Sequence, residues 1–257
     1  MAYDLADIAE AQNARRRVRF CAEVHYERDP GHFLASELSV LTRSIQLAST
    51  QVNKDRDYYA VTARPESVWC YVPKMRSTWP KVTESLGCWP YRRPMTLTLV
   101  GRVVAASFKD DVGLPTPHVC STFAPLYEAD RIALYGVLDL YSDLPEAYFP
   151  FMSMTSDIRV DRYLPEDSFH QSASFVPFEA IYDGRAGYLP PGSSREMPIL
   201  PTQYLLPNDI AVYAVTVDRY WLPQTDGAWR WTARLKLESI TLLGHAAEIS
   251  MLSTEDT

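Results

Sequence analysis

The chain has 257 residues, 47% hydrophobic and 22% charged, a make-up that lets a globular chain bury a sizeable core without a metal or disulfide staple. Its 25 Lys and Arg against 32 Asp and Glu give a net charge of −7, which excludes attachment to nucleic acid or an anionic membrane by overall charge. No apolar run approaches the roughly 20 residues of a membrane-spanning helix, and Asp4, Asp7 and Glu10 follow Met1 too closely for a secretory leader.

From Ala2 to about Arg17 there is neither Gly nor Pro, with acids first and Arg15, Arg16, Arg17 and Arg19 last. That order complements a helix dipole and predicts a first helix. Asp29 and Pro30 form a cap and first-turn pair. Leu34, Leu38, Leu41, Ile45 and Ala48 then follow at spacings of four, three, four and three, which predicts a second helix.

After Asn53 the pattern changes to strands and turns. Tyr58–Thr62, Val68–Val72 and Met95–Phe108 are rich in aromatic and β-branched residues, and Gly101 in the last of these marks a bulge or bend. Arg131–Tyr141 reads as a further long strand with Gly136 at its centre, and Phe175–Tyr182 as an edge strand carrying Pro177. Ile210–Trp221, a turn ending in Asp226-Gly227, and Ala228–Leu243 predict a hairpin. Its second strand sets Trp229, Trp231, Ala233, Leu235 and Leu237 on one face, and Arg230, Thr232, Arg234, Lys236 and Glu238 on the other. The stretches Leu114–Pro125 and Leu189–Pro207 are rich in proline and read as long loops of the kind that carry contacts.

Strands without intervening helices point to a mainly β protein, an antiparallel β-sandwich or jelly roll with two N-terminal helices. The expected division is a helical arm over 1–52, a β-sandwich over 53–245 and a flexible tail over 246–257.

Catalytic patterns are weak. Cys21, Cys70, Cys88 and Cys120 form no CxxC pair, and His25, His32, His118, His170 and His245 are scattered, so neither a metal nor a cofactor is expected. His118 and Cys120 would share a face on a strand, but Pro115 and Pro117 mark that stretch as a loop. A nucleophile pair is therefore not expected there. Asp110-Asp111, Asp139 with Asp143, and Glu166-Asp167 read as turn caps. The chain is not expected to be an enzyme.

Contact residues are better marked. Trp79, Trp89 and Tyr91 sit in a proline-bracketed segment, and Tyr188 and Tyr204 in or beside the second loop; these five are the interface candidates. Arg15, Arg16, Arg17 and Arg19 could touch nucleic acid phosphates, although five acids within residues 1–28 balance the five arginines there.

An N-terminal arm with RRRVR, proline-rich loops between strands and a final hairpin ending WRWTARLKLESITLL together resemble the jelly-roll coat proteins of small viruses. The likeness is one of layout, so no functional position is carried over from it. It implies a virion subunit (capsid, clamp or outer shell), found in the particle or the host cytoplasm and bound to copies of itself or other shell proteins. Two alternatives stand beside it: a viral movement or accessory protein binding single-stranded nucleic acid, and a carbohydrate-binding β-sandwich displaying Trp79 and Trp89.

Overall fold

In a computed structural model of the chain, residues 32–65, 69–73, 82–88, 93–109, 113–141, 157–164, 177–189, 197–223 and 227–245 are described. The helix expected over Ala2–Arg17 and the tail after 245 lie outside them. The second helix is present as α1 (His32–Thr50). Its spacing has the expected result: Leu41, Ile45 and Ala48 are buried, against Val100, Ile210, Val212 and Leu243 of the sheet.

The protein is mainly β. Eleven strands form one sheet: β1 (Val52–Asn53), β2 (Tyr58–Ala60), β3 (Trp69–Pro73), β4 (Val82–Cys88), β5 (Arg93–Pro94), β6 (Thr96–Lys109), β7 (Pro115–Pro125), β8 (Ile158–Tyr163), β9 (Ile181–Asp183), β10 (Ile210–Pro223) and β11 (Trp229–Gly244). The expectation of an antiparallel sheet is corrected, because β2 runs parallel to β6, and both β8 and β9 run parallel to β11. Parallel pairs need crossover connections, and the long segments between these strands supply them.

The long strands serve more than one neighbour. Residues Thr96–Arg102 of β6 pair with β10, and Gly101–Lys109 pair with β7. The path β6-β7-β8-β11-β10 therefore returns to β6 and closes a ring of five strands. Beyond the ring, the second half of β10 pairs with β4, which carries β3 and β5. The hairpin β10–β11 thus runs from the ring out into a smaller wing.

Two sequence expectations are overturned. Arg131–Tyr141 is not a strand but most of helix α2 (Glu128–Tyr141). Its buried positions Asp130, Ala133, Leu134, Val137 and Leu138 recur at helical spacing, and Glu128 and Asp130 lie in the first turn, where the helix dipole favours acids. Leu114–Pro125 is not a loop, since Pro115–Pro125 is β7. Its prolines fit because Pro115 and Pro125 are its end residues and Pro117 lies outside the last residue paired with β8, His118. Of the expected edge strand Phe175–Tyr182, the described part is regular only at Ile181–Asp183.

The core fills the ring. Leu97, Leu99, Phe123, Ile158, Val160, Tyr213, Leu235 and Leu237 are at most 1% exposed, and α2 adds Leu134, Val137 and Leu138. The Phe123 and Tyr213 rings stack at 3.9 Å, and the Tyr213 hydroxyl lies 3.2 Å from Ser121 Oγ. Burial pushes the Tyr213 phenol well above its ordinary pKa.

Candidate functional site

Because β7 is a strand, His118 and Cys120 share its outward face, and Asp161 on β8 is the Cα partner of Cys120. Arg234 of β11 reaches the same place. His118 Nε2 lies 3.2 Å from Asp161 Oδ2 and 3.3 Å from Arg234 Nη2, while Arg234 Nε donates to Asp161 Oδ1. The same His118 nitrogen can thus donate to a carboxylate when protonated or accept from a guanidinium when bare.

Aromatic rings complete the cluster. His118 stacks on Tyr163 at 4.6 Å, and the Arg234 guanidinium lies 4.7 Å from the Tyr163 ring centre and 5.9 Å from that of Tyr220. Burial works against the Arg234 charge, but the hydrogen bond and charge of Asp161 outweigh it and hold the guanidinium above its ordinary pKa. Burial likewise raises the Tyr220 phenol, and Asp218 adds to the effect. Next along β11, Glu238 accepts from Lys236 at 2.6 Å, Thr216 at 3.0 Å and Arg162 at 3.2 Å.

This face carries out little nucleophilic chemistry as it stands. No hydrogen bond joins Cys120 to His118, whose Nε2 is already engaged. Among the described residues no group of three or more His, Cys, Asp or Glu could hold a metal ion. Asp139 lies on α2, and the other paired carboxylates singled out from the sequence, Asp110-Asp111, Asp143 and Glu166-Asp167, lie outside the described residues.

A second surface lies where the hairpin leaves the ring. Trp221 pairs across the strands with Trp231, and Pro223 with Trp229, which sets three indoles at one end of the hairpin. Trp221 and Trp231 meet edge to face at 5.1 Å. Arg219 lies 4.0 Å over the Trp231 ring and donates to Glu84 of β4 at 2.6 Å, which fixes the inner side of the group. The outer side is open: Trp229 is 54% exposed and Trp221 39%.

The five interface candidates fare unequally. Trp79, Trp89 and Tyr91 lie outside the described residues, as do Arg15, Arg16, Arg17 and Arg19. Tyr188 is a packing residue of its own subunit, not a side chain open to a neighbour. Its amide donates to Ser44 Oγ and its hydroxyl to Gln51 Oε1, each at 3.0 Å, and burial raises its pKa. Tyr204 is 50% exposed at the end of a short 3-10 turn, Thr202–Tyr204, beside exposed Ile199 and Leu206. The sequence reading missed Trp221 and Trp229 as surface groups. The signal was there: tryptophans next to a turn lie where a hairpin outruns the core that would cover them.

Comparison of the chain with family models, with curated proteins and with solved structures gave no match in any of the three.

Proposed function

We propose that the protein works by binding and not by catalysis, as a structural subunit of a virus particle, a capsid, clamp or outer-shell protein that assembles with copies of itself or with other shell proteins. The observation that carries this reading is the open tryptophan group at the end of β10–β11. Trp is among the residues most enriched at interface hot spots, and few chains leave two of them open side by side without a partner. The mainly β body and its proline-rich connections also support a shell subunit, whether or not the sheet is arranged as the sandwich or jelly roll of that class. The expected place of action is the particle or the host cytoplasm.

Size-exclusion chromatography with light scattering, followed by negative-stain microscopy of the largest fraction, tests the reading. Closed shells or regular oligomers are expected. A 29.2 kDa monomer at every concentration, salt and pH would refute it.

One alternative has an observation of its own. Tyr163 is 56% exposed beside Arg234, and Arg159 is exposed one residue pair away on β8, an arrangement on which a base could stack while a phosphate meets a guanidinium. Against it, Arg234 is already paired with Asp161, and Lys236 and Arg162 with Glu238, so a polyanion would have to displace carboxylates. Filter binding of a single-stranded oligonucleotide with a steep salt dependence, lost in Tyr163→Ala, would favour this reading over the structural one.

A further inference from the structure

The tryptophans are not the sole open apolar surface. Ile199, Tyr204 and Leu206 are 63%, 50% and 49% exposed within one short stretch of chain. That stretch is firmly held. Leu200 N donates to Ile181 O at 2.8 Å, Asn208 N to Val103 O at 2.7 Å, and Leu206 N to the Asp209 carboxylate at 2.8 Å. Pro198, Pro201 and Pro207 further restrict it. Its side chains are therefore displayed on an ordered frame, and little conformational freedom is left to lose on contact.

The two surfaces lie at opposite ends of one strand. The loop leads directly into Ile210, the first residue of β10, and the tryptophan group begins at Trp221, near its last. At about 3.3 Å per residue the separation is at most about 40 Å. Surfaces at opposite ends of a molecule cannot meet within one copy, and neither end carries both.

Charge supports the same partner. Residues 219–223 and 227–237 contain Arg219, Arg230, Arg234 and Lys236 and no acid. Removing these four positive charges from the net −7 leaves −11 for the remainder of the chain. A second copy is thus an acidic body presented to a cationic, apolar hairpin end.

We infer that the Trp221–Trp229 end of one copy docks on the Ile199–Tyr204–Leu206 loop of the next, a head-to-tail contact that repeats along the assembly. The inference rests on the structural reading above and names the surfaces that reading would use. Such a contact is heterologous, so it closes into rings or shells when the rotation allows and extends as a filament when it does not. The exposed parts of these five side chains amount to only about 500 Å² on the two surfaces together. Stable interfaces begin at about 1,200 Å², so a single junction is weak, and closure, which gives every copy two junctions, is what holds the assembly.

The test uses the full chain and two variants, Trp229→Ala and Ile199→Asp, with circular dichroism and melting curves to establish that each folds. Light scattering is read across a concentration series. The wild type is expected to move from monomer to large species as concentration rises, and each variant alone to need at least about tenfold more protein. The mixture of the two is decisive. Trp229→Ala keeps a working loop and Ile199→Asp keeps a working hairpin, so together they should form a one-to-one dimer that grows no further. If only Trp229→Ala loses assembly and the mixture shows no dimer, the tryptophans pair with themselves and the inference is overturned. If both variants assemble like the wild type, neither surface is used and the inference is again overturned, while the structural reading stands. A wild type that never assembles removes both.

Discussion

Gly101 sits where β6 passes from pairing with β10 to pairing with β7, and it is paired on both sides, with Ala211 and Pro125. A Cβ added there would meet Phe123 Cδ2 at 2.4 Å and the Ala124 carbonyl oxygen at 2.9 Å. Neither neighbour can give way easily. The Phe123 ring is fully buried and stacked on Tyr213 at 3.9 Å, and Ala124 belongs to the β7 backbone. Overpacking of this kind costs about 1–3 kcal/mol. Ala also gains about 0.5–1 kcal/mol over Gly, because the unfolded chain has less freedom to lose. Gly101→Ala should therefore destabilise the protein by about 1–2 kcal/mol, which lowers Tm by roughly 2–8 °C for a chain of this size. Urea denaturation and calorimetry would measure it. A double-mutant cycle with Phe123→Leu should recover about 1 kcal/mol of the cost, since the ring is the first thing the new methyl meets. An unchanged or raised Tm in Gly101→Ala would refute the close approach of β7, and with it the packing at the ring's tightest point.

Tyr188, Tyr213 and Tyr220 are buried phenols with raised pKa values, so folding favours their neutral forms. That stability is complete below the ordinary phenol value of about 10 and is lost as pH rises beyond it; an alkaline titration followed at 295 nm should show these phenols ionising only as the circular dichroism signal collapses. Asp161→Leu should destabilise by about 1–3 kcal/mol, because it strands the largely buried Arg234 guanidinium. The double variant Asp161→Leu/Arg234→Met should be more stable than Asp161→Leu alone in the same urea titration. Ile45→Ala, at a fully buried position of α1, should cost about 2–5 kcal/mol and speed hydrogen exchange along that helix before the ring strands.

How much of this was legible in the sequence depends on whether the signal is local. The α1 spacing and the alternation along Trp229–Glu238 are local, and both faces of β11 fall as the alternation requires: Ala233, Leu235 and Leu237 are buried, and Arg234, Lys236 and Glu238 lie on the polar side. The α2 segment failed because Ile132 to Leu138 is a nearly unbroken apolar run, in which helix and strand periods cannot be told apart. The acids Glu128 and Asp130 just before it were the cue for a helix. β7 failed because proline was read as a breaker although each proline falls at or beyond the end of pairing. That error hid the polar cluster, since His118, Cys120 and Asp161 meet only if β7 and β8 are neighbouring strands.

Ring closure is of another kind. It depends on β6 meeting β10 across more than a hundred residues of chain, and nothing in either strand's alternation names its partner. A pattern of buried and solvated faces suits a sandwich and a closed ring equally well. The choice between them lies in strand length and bending. β6 and β10 are each 14 residues long, more than one neighbour can use, and each changes partner partway along. The surplus length has a functional consequence. The part of β10–β11 that outruns the ring has no core to bury Trp221 and Trp229, so the same strand length that closes the fold also leaves its aromatic end open to another molecule.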